Sequence, residues 1–316
     1  MLGAHMQSEI REQPARVLEN ADGYLASANE ALAGKKFDLA VLAARGSSDN
    51  AALYARYLIE IHLGIPVVLA APSVFTRYNA KVRYPNSLVI GISQSGAAPD
   101  VAEVLSVLGE QGLTTLAITN TAGSRLDTTA HHTLLLNVGI ERSVAATKTY
   151  TASLLALYQL VRALGGPLPD PKASLPDDEW LDRCDSAAKR DAAQLAGAGS
   201  VFTLARGYSY ATAMETALKL MECALVPAKA FSWADFQHGP TALAVKGSAA
   251  ITYGAVGEGL AERGCRVLRS PTPDCLEELA PIHEIMFGQF LALHVARTAG
   301  LDPDAPPNLR KVTETT

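Results

Sequence analysis

The sequence has little concentrated positive charge and no long apolar run. Its 316 residues carry 27 lysines and arginines against 32 aspartates and glutamates, for a net charge of −5. Nucleic acids and anionic membranes bind concentrated basic surfaces, and no run of lysine and arginine supplies one here. No apolar stretch reaches the roughly 18 residues that a membrane-spanning helix requires. We therefore expect neither nucleic acid nor membrane as a partner.

Cysteine is also scarce, and the common cofactor motifs are missing. The four cysteines (Cys184, Cys223, Cys265 and Cys275) form no CxxC pair, and no His, Asp and Glu cluster has metal-ligand spacing, so no disulfide framework or metal site is expected. This cysteine usage favours a cytoplasmic location. Because neither GxGxxG after the first strand nor GxxxxGK[ST] occurs, nucleotide binding is disfavoured and no cofactor is expected.

What the chain does contain is a series of short apolar runs that alternate with helical segments. The predicted strands are residues 39–43, 66–70, 88–92, 115–119 and 133–138 in the first half, and 201–205, 249–253 and 266–268 in the second. Apolar runs of this length between helices indicate parallel sheets covered on both faces. The sequence therefore predicts an α/β protein with two doubly wound parallel-sheet domains in tandem.

Composition changes along the chain give the predicted domain boundaries. They are an N-terminal helix over 1–36, a first domain over 37–166 that closes with a helix at 144–164, a proline-rich acidic linker over 167–180, a second domain over 181–301, and a polar tail over 302–316. Residues 1–6 resemble the remnant of an expression tag and are set aside from the fold. The last predicted helix is 282–299.

Two hydroxyl-rich turns follow predicted strands of the first domain. Residues 45–50 read RGSSDN and residues 93–100 read SQSGAAPD, with Pro99 well placed as a first helical residue. Backbone N–H groups and serine hydroxyls at a helix start form an anion site, and we expect phosphate there. The alternative is a pair of ordinary capped helix starts. Residues 205–209 read ARGYS, which is similar to ARGSS at residues 44–48. This similarity suggests that the second domain is related to the first.

The stretch from 200 to 240 holds most of the groups able to move protons. Glu215, Lys219 and Glu222 are spaced i, i+4 and i+7, which places them on one face of a helix. A solvated charged stripe is the alternative, but apolar flanking residues favour a cleft. Downstream, His238 stands beside a Gly-Pro turn. A carboxylate, an ammonium and an imidazole brought together can perform acid and base catalysis.

These motifs resemble, in order, those of tandem sugar isomerase (SIS) domain proteins. The matching segments are Ser93-Gln94-Ser95-Gly96, Thr147-Lys148, Ala217-Leu218-Lys219-Leu220, Glu222, His238-Gly239-Pro240 and Asn308-Leu309 with Lys311. The chain is similar, from about Met6 onward, to the isomerase half of glutamine:fructose-6-phosphate aminotransferase and to stand-alone glucosamine-6-phosphate deaminases of the SIS type. The resemblance implies two flavodoxin-like SIS domains.

The resemblance also implies roles for individual residues. The residues that would hold the sugar phosphate and nearby hydroxyls are Ser47, Ser48, Ser93, Gln94, Ser95, Ala98, Val144 and Ala146. Glu222 would move a proton between C1 and C2 of the sugar, and His238 would open the ring from a neighbouring subunit of a homodimer. Lys219 would support the site by its charge. Lys311, in the tail, would form a Schiff base with a ketose; an exposed tail charge is the alternative.

We therefore expect an enzyme, a glucosamine-6-phosphate deaminase that converts an amino-sugar 6-phosphate and water into fructose 6-phosphate and ammonia. The sequence contains no glutaminase half with an N-terminal cysteine nucleophile, which argues against glutamine-dependent synthesis. Ala98 and Ala146 occupy positions at which the aminotransferases of this family have threonine and serine. These departures leave open an aldose-ketose isomerase or a deglycase on another phosphosugar. A non-catalytic phosphosugar sensor is the alternative from a different class.

Overall fold

The computed structural model describes residues 1–195 and 197–311, in which strands and helices alternate. The strands are β1 (Leu39–Ala43), β2 (Val67–Leu69), β3 (Ser87–Ile92), β4 (Thr114–Thr119), β5 (His132–Leu135), β6 (Ser200–Ala205), β7 (Ala228–Ser232), β8 (Ser248–Thr252) and β9 (Arg266–Arg269). The helices are α1 (Ala4–Arg11), α2 (Gln13–Leu32), α3 (Ser47–Leu63), α4 (Pro72–Thr76), α5 (Pro99–Glu110), α6 (Arg125–Thr129), α7 (Lys148–Ala163), α8 (Asp178–Ala192), α9 (Ser209–Ala224), α10 (Trp233–Gln237) and α11 (Ala280–Thr298).

The described residues form two compact units, each with its own parallel sheet. The β1–β5 unit comprises residues 16–140 and 149–172, and the β6–β9 unit comprises residues 1–15, 141–148 and 173–311. The strand orders are β2-β1-β3-β4-β5 and β7-β6-β8-β9, and all neighbouring strands are parallel. The predicted α/β class with parallel sheets is confirmed. In each sheet the first strand along the chain lies between the second and the third, and the fourth strand lies beyond the third. Doubly wound flavodoxin-like sheets have the same order.

In the β1–β5 unit the central strands are buried along both faces. Every residue of β1 and β3 is buried, which explains why these strands read as continuous apolar runs rather than alternating ones. On one face, Val41 and Val89 pack with Val101 and Leu105 of α5. This packing holds the start of α5 directly beyond the end of β3.

In the β6–β9 unit the two faces of the sheet have separate cores. Val201 and Ile251 belong to the core that includes Phe287 of α11, whereas Phe202 packs with Phe236 of α10 on the other face. Successive strand residues point to opposite faces, so adjacent residues such as 201 and 202 enter different cores. The helix α9 packs against α11, β6 and β7.

The N-terminal segment differs from the single helix predicted over 1–36. It forms two helices, α1 and α2, and the division between the units falls after Ala15. Residues 1–6, which the sequence analysis sets aside, belong to the fold. Met6 is fully buried, and the N–H groups of His5 and Met6 each donate a 2.8 Å hydrogen bond to the Asp304 carboxylate. Tertiary burial of this kind leaves no local signal in a six-residue segment.

Other boundaries also shift. The predicted linker over 167–180 overlaps α8, which starts at Asp178 because the Asp177 side chain caps it by accepting from the Trp180 N–H at 2.8 Å. The strand β7 is not among the predicted strands, because it is a partly exposed edge strand whose apolar run is short. Of the predicted tail over 302–316, residues 312–316 lie outside the described residues.

One segment, Glu277–Thr298, is long and apolar enough to cross a membrane by length and composition, contrary to the sequence expectation. Within it, 89% of the apolar window is buried inside the protein, including Phe287 and Phe290 of the β6–β9 core. A core helix of a globular unit has the same composition, because it is apolar on all sides. The burial therefore accounts for its apolar composition.

Candidate active site

The two predicted phosphate turns begin at the same level of the β1–β5 sheet. β1 and β3 are parallel neighbours with Ala43 opposite Gly91, so the turns that follow them emerge side by side. The first turn leads through Gly46, at φ 55°, into α3 at Ser47. The second leads through residues 93–98 into α5 at Pro99. Both turns thus place a helix start at the carboxyl edge of the sheet, as the sequence predicts.

An ion pair that the sequence analysis did not single out joins these turns. Arg45 Nε donates to Asp100 Oδ2 at 2.8 Å, and the Asp100 side chain is 2% exposed. The other carboxylate oxygen, Oδ1, accepts from the Val101 N–H at 2.9 Å. Asp100 therefore fixes the first turn of α5 and the first residue of the neighbouring turn at once. Both residues lie inside the quoted motifs, but their pairing depends on strand adjacency.

The serine-rich turn is held tightly by its own backbone and by a close neighbour. The Ser93 N–H donates to the Ile118 carbonyl at 3.0 Å, and the Ser95 hydroxyl accepts from the Ala97 N–H at 3.3 Å. Gly96 has φ 63°, and a Cβ added there would lie 2.0 Å from Ser124 Oγ. Only glycine fits both the backbone angle and the space. Ser47, Ser48, Gln94, Ser95 and Ala98 are half-buried at this edge, while Ser93 is buried.

The predicted ligand residues Val144 and Ala146 lie in a loop of the β6–β9 unit, residues 141–148. The predicted helix 144–164 instead begins at Lys148, and carboxylates bind the backbone N–H groups of the loop before it. Glu9 accepts from the N–H groups of Arg142 and Ser143, and Glu141 Oε1 accepts from the Thr147 N–H at 3.0 Å. Burial raises the pKa of Glu9, and the hydrogen bond from Arg142 partly offsets this.

The two predicted ligand positions in this loop flank a buried residue. Ala145 is buried in the core of the β6–β9 unit, whereas Val144 and Ala146 on either side of it are half-buried. This alternation leaves Val144 and Ala146 accessible while their neighbour anchors the loop. Neither side chain offers a hydrogen bond, so their contacts with a ligand would be apolar or through the backbone.

Lys311 is bound to the same loop, which the sequence analysis could not foresee. Its Nζ donates to Glu141 Oε2 at 2.9 Å and to the Ser143 carbonyl at 2.6 Å. The Glu141 side chain is fully buried and that of Lys311 is 25% exposed. Lys311 is therefore paired, and it fixes residue 311 to the loop that carries Val144 and Ala146.

The three charged residues of α9 form a buried chain and not a solvated stripe. Lys219 Nζ lies 3.3 Å from Glu215 Oε1 and 2.5 Å from Glu222 Oε2. The side chains of Glu215 and Lys219 are fully buried, whereas Glu222 is 25% exposed. Burial opposes the Lys219 charge, but the carboxylates of Glu215 and Glu222 outweigh it, so the pKa of Lys219 is raised. Glu222 is thus the accessible end of this chain.

His238 lies in the same unit as Glu215, Lys219 and Glu222. It follows α10 as its C-terminal cap, with its N–H donating to the Asp235 carbonyl at 3.0 Å, and its side chain is exposed. In the described part of the chain, the His238 ring makes no hydrogen bond or ion pair. Gly239, at φ 150°, and Pro240 then turn the backbone away. The imidazole is therefore accessible from solvent.

The predicted site residues therefore form two groups, one in each unit. The β1–β5 unit holds Ser47, Ser48, Ser93, Gln94, Ser95 and Ala98 on two adjacent turns, and the β6–β9 unit holds Lys219, Glu222, His238, Val144, Ala146 and Lys311. No group of three or more His, Cys, Asp and Glu side chains that could hold a metal ion occurs within residues 1–195 and 197–311.

Comparison with known proteins identifies relatives along nearly the whole chain. The glutamine–fructose-6-phosphate aminotransferase (isomerizing) of Methanothermobacter thermautotrophicus is 33% identical over 340 aligned residues, which cover 97% of this chain and 56% of that protein. The chain spans about half the length of the curated relatives it matches.

Solved structures share the fold. The C-terminal domain of glucosamine-fructose-6-phosphate aminotransferase from Francisella tularensis covers 96% of this chain and 98% of its own length, with a TM-score of 0.79 and 25% identity. The glucosamine-6-phosphate deaminase from Thermotoga maritima covers 99% of this chain and all of its own, with a TM-score of 0.85. At 21% identity this second likeness shows the fold alone.

The family match covers the strands and turns of the proposed phosphate site. Residues 36–163 match the SIS domain, a span that contains β1 to β5 and both serine-bearing turns. The resemblance inferred from the ordered motifs is confirmed. Residues 36–163 of this chain therefore form a SIS domain.

Proposed function

We propose that this protein is a glucosamine-6-phosphate deaminase. The observation that carries the proposal is the buried chain Glu215–Lys219–Glu222, which presents one carboxylate, Glu222, at its accessible end. Moving a proton between adjacent carbons requires a carboxylate that acts in turn as base and acid. A phosphosugar sensor would need the phosphate turns but would gain nothing from a lysine buried between two carboxylates.

The reaction assigns a step to each group. In the ring form of the substrate, the His238 imidazole of a second subunit protonates the ring oxygen and opens the sugar. Glu222 then removes the proton from C2 and returns it to C1, while a second proton passes from the amino nitrogen to O1, which converts the 2-amino aldehyde into a 2-imino compound with a hydroxyl at C1. Water adds to the imine carbon, and the C–N bond breaks to release ammonia and fructose 6-phosphate. Lys219 keeps Glu222 oriented and balances its charge.

The turns of the β1–β5 unit are the proposed phosphate site. Ser47, Ser48, Ser93 and Ser95 place hydroxyls at two adjacent helix starts, where backbone N–H groups also favour an anion. Gln94 supplies an amide in the same turn. Binding energy from the phosphate can then hold the reacting carbons in place, as remote binding energy does in many enzymes.

The proposal includes two features of organisation. The first four strands have the same order in each sheet, and an Arg-Gly turn follows the first strand of each. Both features support two tandem SIS domains. His238 is exposed and makes no side-chain hydrogen bond or ion pair with the residues that the structure describes, which supports a homodimer in which this residue serves the partner's site. Lys311 would form its Schiff base with a ketose only after leaving Glu141.

Ala98 and Ala146 favour a second candidate, an aldose-ketose isomerase or deglycase acting on another phosphosugar. Both residues lack the side-chain hydroxyl that the aminotransferases of this family have at these positions. A ligand of this protein would therefore make different hydrogen bonds there from a ligand of the aminotransferases. Such an enzyme would use Glu222 in the same way but would release no ammonia from glucosamine 6-phosphate.

Replacement of Glu222 by glutamine tests the proposal. The amide keeps the size of the side chain and cannot move the proton, so turnover should fall by about 10²–10⁴-fold. Phosphosugar binding, measured by calorimetry, should remain within a few-fold of that of the unmodified protein. A Glu222→Gln variant with normal turnover would contradict the assignment.

A further inference from the structure

A cleft in the β6–β9 unit lies at the opposite sheet edge from the proposed proton-transfer residues. Its volume is about 510 Å³, within the range of small-molecule sites. It is lined by α8 and by the end of β9: Glu179, Asp182, Arg183, Ser186, Ala187, Arg190, Arg269 and Pro271. In the sheet order β7-β6-β8-β9, β9 is one edge, whereas α9 packs against β6 and β7. The cleft is therefore separate from Lys219 and Glu222.

The charged side chains that line the cleft differ in whether they form ion pairs. Arg190 is bound at two points by Asp191, at 2.9 and 3.1 Å, and Asp182 is paired with Arg11. In contrast, the guanidinium groups of Arg183 and Arg269 form no ion pair with any described carboxylate. Arg183 and Arg269 thus both line this cleft without a bound carboxylate among the described residues, in a chain whose net charge is −5.

Both guanidinium groups are positioned by groups other than acids. The Arg183 guanidinium carbon lies 5.1 Å from the centroid of the Trp180 ring, and that ring is fixed because its Nε1 donates to the His283 carbonyl at 2.9 Å. Arg269 Nη1 donates to the Val256 carbonyl at 3.0 Å. A guanidinium held by stacking or by a single carbonyl keeps its remaining N–H donors available.

We propose that this cleft binds a small phosphorylated metabolite through Arg183 and Arg269. Planar guanidinium groups bind phosphate oxygens in pairs, and two of them on facing walls can share one phosphate. Ser186 adds a hydroxyl on the α8 side, while Ala187 and Pro271 give an apolar surface for the carbon skeleton. The Glu179 carboxylate repels a bare anion but accepts a hydrogen bond, so it selects a phosphate ester that also carries a hydroxyl or amino group.

Titration with pyrophosphate tests this site. The measurement is made by calorimetry in a Ser95→Ala background, because that change weakens the proposed phosphate turns of the β1–β5 unit. We expect binding to persist in this background and to weaken at least tenfold when Arg183→Ala and Arg269→Ala are added. Glu179→Gln should instead tighten pyrophosphate binding several-fold, because it removes a negative charge from the cleft.

A charge-matched control uses Arg77→Ala with Arg263→Ala, two exposed arginines outside the cleft; this pair should leave the affinity unchanged. In the otherwise unmodified protein, Arg183→Ala with Arg269→Ala should also leave turnover of the phosphosugar substrate unchanged. Loss of all pyrophosphate binding in the Ser95→Ala background, or equal affinity with and without Arg183 and Arg269, would overturn the proposal.

Discussion

At the scale of single residues, Lys219 is a predicted site residue whose charged side chain is fully buried. It is fully buried between Glu215 and Glu222, so it stabilises two carboxylates that would otherwise face each other. Lys219→Met should lower the free energy of unfolding by about 3–5 kcal/mol, because Glu215 is left buried without its cation. Urea unfolding measures this loss. The double variant Lys219→Met with Glu215→Leu should recover part of it, whereas a stable single variant would contradict the ion-pair account.

Glu284 on α11 makes stability depend on pH. Burial raises its pKa from 4.5 to about 7. The folded protein thus holds this proton more tightly than the unfolded chain does. Stability should therefore fall as the pH rises from about 4.5 to 7, and the full loss should apply above 7.

A Glu284→Gln variant isolates this effect, because the amide stays neutral at every pH. The variant should be similar in stability to the unmodified protein near pH 4.5. It should be more stable by roughly 3 kcal/mol at pH 8, the free-energy equivalent of the pKa shift. Urea unfolding at the two pH values measures the difference. Equal stability of the two proteins at pH 8 would show that Glu284 ionises without cost.

At the scale of elements, the turn between β3 and α5 depends on Gly96. An alanine there would place its Cβ 2.0 Å from Ser124 Oγ at φ 63°. Gly96→Ala should cost about 1–3 kcal/mol from overlap, in addition to about 1–2 kcal/mol from the backbone angle. It should also weaken phosphosugar binding, because the overlap displaces Ser93 and Ser95.

Gly123→Ala is a matched control for that change. Gly123 lies in the same unit at φ 72°, but a Cβ added there would meet nothing within 4 Å. The Gly123→Ala variant should therefore lose only the stability that the backbone angle costs, and its affinity for the phosphosugar should be unchanged. Thermal unfolding and calorimetric titration of both variants make the comparison. Equal affinity of the Gly96→Ala and Gly123→Ala variants would contradict the role given to this turn.

At the scale of the whole molecule, the proposed homodimer makes a quantitative prediction. If His238 serves the partner's site, the inactive variants Glu222→Gln and His238→Ala should complement each other after mixing and subunit exchange. Random pairing makes half of the dimers mixed, and each mixed dimer has one intact site of two, so activity should return to about one quarter of normal. Turnover that stays at the level of the separate variants would contradict the exchange of His238.

Local patterns predicted the parallel sheets and the two serine-rich turns, because apolar runs and turn residues act over a few neighbouring positions. Contacts between distant residues could not be predicted in this way. Glu141 is 170 positions from Lys311, and nothing near either residue indicates that they pair. Arg45 and Asp100 were quoted within motifs, but their ion pair follows from the adjacency of β1 and β3. The edge strand β7 was missed because partial exposure shortens its apolar run.

The most direct test of the central claim is to measure ammonia and fructose 6-phosphate together after mixing the protein with glucosamine 6-phosphate. Galactosamine 6-phosphate serves as the epimer control, and the Glu222→Gln variant gives the background rate. Our account predicts that the two products appear in equal amounts and that both depend on Glu222. Binding of glucosamine 6-phosphate without release of ammonia would contradict the deaminase assignment and favour an isomerase or a sensor.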